Sequence, residues 1–179
     1  MDLNFRNACR NGNLPYIQKY LSENIEYFKY FNDPIHPVFI CSSRGNLDCI
    51  KYLLTKYNIT EICIYDSIKI AAISNHYDTV NYLFHLIKNI NIFESKLIFS
   101  LYKSIIKQNK SIITFLINEN IYYYDDTYNS LFACCIIGDI ETIKMIINKY
   151  NCWKKFKPKC LELSIKYKKE QIYSFLFNL

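Results

Sequence analysis

Residues 36–54 read HPVFICSSRGNLDCIKYLL, and this stretch decides the fold. Gly45 separates two segments with apolar periodicity, and Ile50 follows it five residues later. The same arrangement occurs at two other places, at Gly12 with Ile17 and at Gly138 with Ile143. The chain contains 3 glycines, so all of them occupy one phase of a repeating unit. A fixed period of about 20–50 residues is typical of proteins built from stacked repeats.

The branched apolar residue after the glycine recurs along the whole chain. Taken as an anchor, it gives the series Ile17, Ile50, Val80, Ile113, Ile143 and Ile172. The successive spacings are 33, 30, 33, 30 and 29 residues. Apolar or aromatic residues follow each anchor three and four positions later, which places them on one face of a helix. Each anchor therefore predicts a helix with one buried face.

A second apolar pattern precedes each glycine position. An apolar residue lies seven positions before it, at Phe5, Val38, Ile68, Leu101, Leu131 and Cys160. A small residue lies four positions before it, at Ala8, Cys41, Ala71, Ser104 and Cys134, with Leu163 as the exception. Because small residues let helices approach closely, each unit is predicted to be a short helix, a tight turn and a second helix.

Six such units fill the chain, and we number them repeats one to six. Their boundaries lie near 3–33, 34–63, 64–93, 94–126, 127–156 and 157–179. We expect neither helix of a unit to be stable alone, since isolated helices need about 12–15 residues. Stacking on the next unit would bury the anchors. The sequence therefore predicts an all-α solenoid that forms a single array over residues 1–179.

Asparagine is predicted to end the second helices. It follows them in five repeats, at Asn24, Asn58, Asn89, Asn120 and Asn151. Helices commonly end in a residue with left-handed backbone, and asparagine adopts that conformation more readily than most residues with a Cβ atom.

The pattern resembles the ankyrin repeat. That unit of about 33 residues carries a Thr-Pro-Leu-His turn, an Ala-Ala pair, a glycine and a Val-x-x-Leu-Leu helix. Repeat two matches it best, through His36-Pro37-Val38-Phe39, Gly45-Asn46-Leu47-Asp48 and Leu53-Leu54. The Thr-Pro-Leu-His turn is never complete, and Pro158 sits one position before the place of its proline. The resemblance implies an ankyrin-type solenoid of about six repeats with short or irregular hairpin fingers. A tetratricopeptide array fits less well, because its Trp-Leu-Gly-Tyr signature is absent.

The style of the chain is similar to that of ankyrin-repeat proteins from large cytoplasmic DNA viruses, namely poxviruses, African swine fever virus multigene families and giant amoebal viruses. The repeats are degenerate, and the dominant residues, Ile, Asn, Lys, Tyr and Phe, have AT-rich codons. This resemblance implies an intracellular protein of the host cytoplasm that binds a host factor and modulates innate immune signalling or host range. Many poxvirus relatives carry a C-terminal F-box-like segment, and we expect repeat six to leave no room for one.

Motifs for catalysis, cofactors and membranes are not found in the sequence. His36 and His76 are expected to be structural, and no Ser/His/Asp arrangement, phosphate-binding glycine loop or paired-carboxylate motif occurs, so we predict no enzyme activity and no cofactor. The 8 cysteines lack a Cys-x-x-Cys spacing and are predicted to be free thiols, mostly buried, with Cys152 the most exposed. The longest apolar run, at 131–137, is short of the roughly 20 residues that span a bilayer, and we expect no signal peptide.

The resemblance implies that a partner protein binds the concave face, at the two residues just before each glycine position. The candidates are Arg10, Arg44, Ile73, Ile106, Lys107, Ile136, Ile137, Ile165 and Lys166. Isoleucine recurs there in four consecutive repeats, where polar residues are usual. An exposed apolar stripe with basic flanks would suit an acidic amphipathic segment of a host or viral protein. The alternative is that the helices rotate and bury these isoleucines.

Two further surfaces are candidates. A predicted finger carries Tyr122, Tyr123 and Tyr124, and tyrosine is favoured at interfaces. The net charge is +6, and the lysine-rich segments 154–159 and 166–169 could attract phosphate. They support an alternative function in nucleic-acid binding, although no nucleic-acid-binding motif accompanies them. End repeats of a stack can also pair, so self-association stays open.

Overall fold

The computed structural model describes residues 2–24, 36–57, 59–87, 94–121, 130–150 and 153–179. Twelve α-helices and no strand occur in these ranges, and each repeat contributes two helices. The helices are α1 (Leu3–Asn11), α2 (Leu14–Glu23), α3 (Pro37–Ser42), α4 (Leu47–Lys56), α5 (Glu61–Ile73), α6 (Tyr77–Phe84), α7 (Glu94–Lys107), α8 (Lys110–Asn118), α9 (Ser130–Ile137), α10 (Ile140–Lys149), α11 (Trp153–Lys166) and α12 (Glu170–Phe177). The predicted all-α repeat fold is confirmed over these residues.

A left-handed residue separates the two helices of every repeat. The φ angles are 69°, 71° and 102° at Gly12, Gly45 and Gly138, and 63°, 58° and 55° at Asn75, Gln108 and Lys168. After each of them, the next backbone N–H donates to the carbonyl oxygen five residues earlier at 2.8–3.0 Å. This hydrogen bond is the mark of a Schellman-type helix end. The turn predicted from the glycines is thus also present in the three repeats that lack glycine.

The turn of repeat six lies one residue later than predicted. The spacing places it at Tyr167, whereas Lys168 is the left-handed residue and the Lys169 N–H donates to the Ser164 carbonyl oxygen at 2.8 Å. Ser164, and not Leu163, therefore takes the small position four residues before the turn. All six repeats carry a buried Ala, Cys or Ser at this position, and the exception we expected does not exist.

The anchors form the core of the repeats. Each of the six exposes at most 1% of its surface, namely Ile17, Ile50, Val80, Ile113, Ile143 and Ile172. The chain divides into two compact units, residues 1–100 and 101–179. In the first unit α3 packs against α1 and α5, and α2 packs against α4; in the second α9 packs against α11, and α8 against α10. Burial of one such side chain contributes about 1.5–3 kcal/mol. The single array over residues 1–179 stays a prediction.

The first helices differ in length more than the sequence predicts. Helix α3 has 6 residues, whereas α5 has 13 and α11 has 14. Only residues 57–60 separate α4 from α5, so in this repeat of short spacing the first helix extends towards the preceding helix. Pro37 opens α3, but Pro158 lies inside α11. Residues 25–35, 88–93 and 122–129, of which the last range contains the predicted finger, lie outside the described residues.

Asparagine ends the second helices at fewer places than predicted. Asn120 is confirmed, since its φ is 61° and the following N–H donates to the carbonyl oxygen five residues earlier at 2.9 Å. The prediction of a left-handed helix end at Asn24 is wrong, because the φ angle of this residue is −131°. Its side-chain amide instead donates to the Tyr20 carbonyl oxygen at 2.9 Å, which satisfies a helix-end carbonyl without a left-handed residue. The other three, Asn58, Asn89 and Asn151, lie outside the described residues.

In repeats two and three the residue after the turn reaches back to the preceding repeat. The Asn46 side chain donates to the Cys9 carbonyl oxygen at 2.8 Å, and His76 Nε2 lies 3.2 Å from the Ser43 carbonyl oxygen. His76 also covers Gly45 so closely that a Cβ atom there would lie 2.5 Å from His76 Nδ1. The structural role predicted for His76 is confirmed, and Gly45 is required by both its backbone angle and its neighbour.

In repeat five the residue after the turn is Asp139, and its carboxylate contacts Lys110 of repeat four. Its carboxylate accepts from the Thr142 N–H at 3.2 Å and from the Thr142 hydroxyl at 2.6 Å, and Lys110 Nζ lies 2.5 Å from Oδ1. Burial by itself raises the pKa of Asp139, but the hydrogen bonds from Lys110 and Thr142 outweigh it and hold the pKa below its usual value.

Asp139→Asn is expected to lower the free energy of unfolding by about 1–2 kcal/mol near pH 7, through loss of the charge-assisted cap. Because the folded-state pKa is depressed, this stabilisation is fully present above about pH 4 and is lost as the pH falls through the folded-state pKa. Urea unfolding of both proteins between about pH 6 and pH 2 should show the difference shrinking. Asp48→Asn, at an exposed aspartate of α4, is the control. A difference that stays constant with pH would contradict the argument.

Candidate functional site

Side chains at the C-terminal ends of the first helices form the candidate site. The left-handed turn ends each helix just after them, while the small residue two positions earlier is buried. Arg10, Arg44 and Lys107 are exposed. Ile106 is 39% exposed, and the half-buried members are Ile73, Ile136 and Ile137. These isoleucines are not part of the core, which disfavours their burial by helix rotation. We call the exposed ends of these helices the first-helix surface, which consists of the ends of α1, α3 and α5 in the first compact unit and of the ends of α7, α9 and α11 in the second.

Ile165 does not occupy the position that the sequence assigned to it. Because the turn of repeat six lies at Lys168, Lys166 corresponds to Ile136, and Ile165 corresponds to Cys135. That position is fully buried in the other five repeats, as Cys9, Ser42, Ala72, Ile105 and Cys135. Ile165 is 64% exposed. It therefore belongs to the outer side of repeat six and not to the row that contains Ile136.

Within each compact unit, some of the candidates lie on neighbouring helices. In the first unit, Arg10 lies in the last turn of α1, Arg44 follows α3, and Ile73 ends α5. These three helices pack against one another in that order. Ile136 and Lys166 lie on α9 and α11, which also pack together. A continuous stripe through all six repeats stays a prediction.

A second row of residues, missed in the sequence analysis, lies one helical turn earlier. Its members are half-buried and lie six positions before the left-handed residue of the turn, which is four positions before Ile106 and its equivalents. They are Phe39, Lys69, Tyr102 and Phe132. Residues four apart share a helix face. Lys103 Nζ lies 5.7 Å from the centre of the Tyr102 ring, a distance at which cation and ring attract each other. Aromatic residues are enriched at protein interfaces, and the helical spacing from Ile106 was the signal that could have identified this row.

The charges of the first-helix surface are unevenly compensated. Asp66 forms salt bridges with Lys96 at 2.8 Å and with Lys69 at 3.2 Å. Burial raises the pKa of Asp66, but hydrogen bonds from Lys96 and Lys69 outweigh it and lower the pKa. Arg10 and Arg44 form no salt bridge with any residue in the described ranges. The positive character of this surface therefore comes from Arg10 and Arg44 together with the exposed Lys107.

Several lysines near the C-terminal end of the sequence have partners inside the chain. Lys159 Nζ lies 2.7 Å from Glu162 Oε1, and Lys157 Nζ lies 5.8 Å from the centre of the Trp153 ring. The Lys169 side chain lies against Gly138, where an added Cβ would be 3.2 Å from its Cδ atom. These contacts favour a stabilising role for the lysines over a row that binds phosphate.

The other candidate groups serve packing or fall outside the described residues. His36 Nδ1 accepts from the Val38 N–H at 3.2 Å and caps α3, which confirms a structural role. Buried free thiols, as predicted, are Cys9, Cys41, Cys49, Cys134, Cys135 and Cys160. Among the described side chains no group of three His, Cys, Asp or Glu residues is placed to hold a metal ion. Outside the described residues lie Tyr122, Tyr123, Tyr124 and Cys152.

Comparison with known proteins bears on the first half of this surface. A family model of ankyrin repeats, in three copies, matches residues 5–95. This match contains Arg10, Arg44 and Ile73. No curated protein matches the chain. Ankyrin repeats generally mediate protein–protein interaction. In the part of the chain that the structure describes, no helix combines the length and the apolar character needed to cross a bilayer.

Proposed function

We propose, since the chain belongs to the ankyrin-repeat family, that it is a non-enzymatic protein-interaction module whose first-helix surface binds an acidic amphipathic segment of a partner protein. The ankyrin fold is typically an interaction module without catalytic activity. The observation that carries the proposal is the combination of partly exposed isoleucines and exposed basic residues at the ends of successive first helices.

The spacing of the helices favours a helical partner segment. Packed helices lie about 8–10 Å apart, so successive repeats offer equivalent side chains at about that interval. A partner helix advances about 10.5 Å in seven residues, so apolar residues seven apart would each meet one repeat. Carboxylates beside them would face Arg10 and Arg44 in the first unit, or Lys107 in the second. Electrostatic attraction of this kind mainly raises the association rate and excludes basic competitors.

The finer proposal concerns the biological setting. The chain would be a viral protein that acts in the host cytoplasm, where it binds a host factor and modulates innate immune signalling or host range. The degenerate repeats and the abundance of residues with AT-rich codons support this setting. The partner would then be a host protein, and competition with its normal ligand would be the mechanism.

The variant Ile106→Asp plus Ile136→Asp is expected to lose partner binding while it keeps its helical content. The two carboxylates would replace apolar contacts and repel an acidic ligand. The probe is a phage-displayed library of random 16-residue peptides, selected on the immobilised 179-residue protein. We expect enriched sequences that are acidic and amphipathic, and at least about tenfold weaker binding of these peptides to the double variant.

The matched control is Thr114→Asp plus Asn148→Asp, which adds the same two charges to exposed positions of α8 and α10. It should bind the selected peptides like the unaltered protein. Enrichment of basic or purely polar peptides would contradict the proposed chemistry. Loss of helical circular dichroism in the Ile106/Ile136 variant would show instead that these isoleucines support the fold.

A further inference from the structure

All three arginines of the chain lie at the first helices of repeats one and two. Arg6 and Arg10 are on α1, and Arg44 lies in the turn that follows α3. The other basic side chains are histidines and lysines, and lysines occur in all six repeats. Lysine would supply the same charge, so the restriction of arginine to this place indicates a requirement for the guanidinium group. We call Arg6, Arg10 and Arg44 the arginine cluster.

The packing of repeats one and two brings the arginine cluster together. Residues four apart share a face of a helix, so Arg6 and Arg10 lie on the same side of α1. Helix α1 packs against α3, and the Asn46 side chain, two residues after Arg44, donates to the Arg10 carbonyl oxygen at 3.1 Å. This contact between repeats holds the backbones of Arg10 and Arg44 in neighbouring positions. Both of these side chains are exposed, and Arg6 is half-buried.

The arginine cluster has no carboxylate partner in the described part of the chain. All salt bridges among the described residues use lysines, with Asp66, Asp139, Glu141 and Glu162 as the acidic partners. The Nε atom of Arg6 is buried, and no described group accepts a hydrogen bond from it. Buried N–H groups are nearly always paired in proteins. Because neighbouring like charges also repel one another, a bound anion would stabilise the cluster.

The donors of the arginine cluster match a phosphate monoester better than a carboxylate. A guanidinium carries five N–H donors in a planar fork, and a single fork pairs with both oxygens of one carboxylate. A phosphorylated side chain carries a charge of about −1.5 to −2 and three acceptor oxygens. It therefore accepts from two or three forks at once, which lysine ammonium groups do not provide.

Apolar side chains beside the arginine cluster favour a phosphorylated protein segment over a nucleic acid. Phe39 is half-buried on α3, and the half-buried Ile73 ends α5, which packs against α3. The basic side chain of this part of α5, Lys69, is already paired with Asp66 at 3.2 Å. Nucleic acids are bound through a series of phosphate contacts, whereas here one anion site is followed by apolar side chains.

We propose that the arginine cluster binds the phosphate group of a phosphorylated side chain in the partner segment, so that phosphorylation of the partner promotes its capture. This inference rests on the proposed function, since it assigns the chemistry of one position in the segment that binds the first-helix surface. The phosphate lies between the ends of α1 and α3, where Arg10 and Arg44 donate to its oxygens and Arg6 adds a third charge. The adjoining apolar residues of the segment lie against Phe39 and Ile73.

Inorganic phosphate is the first probe, because it tests the anion site without a partner. The thermal midpoint of the 179-residue protein, followed by circular dichroism at constant ionic strength, should rise with phosphate concentration. Phosphate also stabilises folded proteins in general, so the measure is the difference between variants. Arg10→Gln plus Arg44→Gln should show only the general effect. Arg10→Lys plus Arg44→Lys should need at least about threefold more phosphate for the same rise, because lysine keeps the charge but lacks the fork.

The matched control is Lys19→Gln plus Lys51→Gln, which removes the same charge from exposed positions of α2 and α4 and should respond like the unaltered protein. The Ile106→Asp plus Ile136→Asp variant should also keep the phosphate response, which separates the anion site from the apolar contacts of the second unit. If the glutamine variant loses helical circular dichroism, the lysine variant carries the comparison.

Phosphopeptides are the second probe. The acidic amphipathic peptides selected on the unaltered protein are resynthesised with serine, phosphoserine or glutamate at each position in turn. At the position that meets the arginine cluster, phosphoserine should strengthen binding at least about tenfold over glutamate. This gain should vanish in Arg10→Gln plus Arg44→Gln and remain in the Lys19/Lys51 control.

The outcomes separate this inference from the proposed function. Peptides that bind but gain no more from phosphoserine than from glutamate would overturn the phosphate site and leave the proposed function intact. A phosphate response identical in the glutamine variant and the unaltered protein would overturn it as well. A protein that binds no peptide of any form would contradict both proposals. Preference for a single-stranded oligonucleotide over the phosphopeptides, lost in the glutamine variant, would assign the cluster to nucleic acid instead.

Discussion

Gly45→Ala is expected to lower the free energy of unfolding by about 2–4 kcal/mol. The left-handed backbone at φ 71° costs about 1–2 kcal/mol for a residue with a Cβ atom. The new atom would also lie 2.5 Å from His76 Nδ1 and 2.8 Å from its Cγ, so the ring must move. Its contact with the Ser43 carbonyl oxygen, worth about 1 kcal/mol, is then lost. Urea unfolding followed by circular dichroism measures the change.

Gln108→Gly is the matched variant at the same position of another repeat, and it should act in the opposite direction. Gln108 already has a left-handed backbone, at φ 58°, so glycine relieves strain and should raise the free energy of unfolding by up to about 1 kcal/mol. Repeats can unfold separately, so a second probe such as hydrogen exchange must agree with circular dichroism. Destabilisation by both variants would contradict the assignment of one shared turn.

The turns were largely predictable from the sequence, because glycine marks three of them and the period locates those at Asn75 and Gln108. Repeat six shows the limit of this reasoning. In repeats one to five the fifth residue after the turn is the buried apolar anchor. In repeat six that position is the half-buried Tyr173, and Ile172, one residue earlier, is the buried one. The apolar period therefore followed Ile172 and placed the turn one residue too early.

The candidate site was predictable only in part, for a related reason. Residues next to a turn can be found by counting from the glycine, which gave Ile136, or from the position that the period assigns to the turn, which gave Ile106. The helical spacing from Ile106 and Ile136 places Tyr102 and Phe132 on the same helix face, but the apolar character of these residues is also that of core residues, so the sequence does not show that they are partly exposed. Their partial exposure depends on how neighbouring helices approach. The length of α5 and α11 likewise depends on how closely the preceding helix ends, which composition does not encode.

Adjacent isoleucines in α7 provide the sharpest test of this distinction. Ile105 is fully buried, whereas Ile106 is 39% exposed. A shift of the helix by one residue could move Ile106 into the buried environment of Ile105, and it would then no longer belong to the first-helix surface. Both residues have the same side chain and lie in the same helix, so composition and helix propensity cancel in the comparison.

Ile105→Ala is expected to lower the free energy of unfolding by about 2–5 kcal/mol, because it leaves a cavity in a packed core. Ile106→Ala should cost less than about 1 kcal/mol, since much of its side chain is in contact with water. Urea unfolding of the two variants under the same conditions gives the comparison, and equal losses would contradict the register of α7. In the peptide-binding assay the order should reverse: Ile106→Ala weakens binding, while Ile105→Ala, at temperatures where it stays folded, binds like the unaltered protein. Stability and recognition would then be assigned to neighbouring residues of one helix, as expected where the core and the binding surface are opposite sides of the same element.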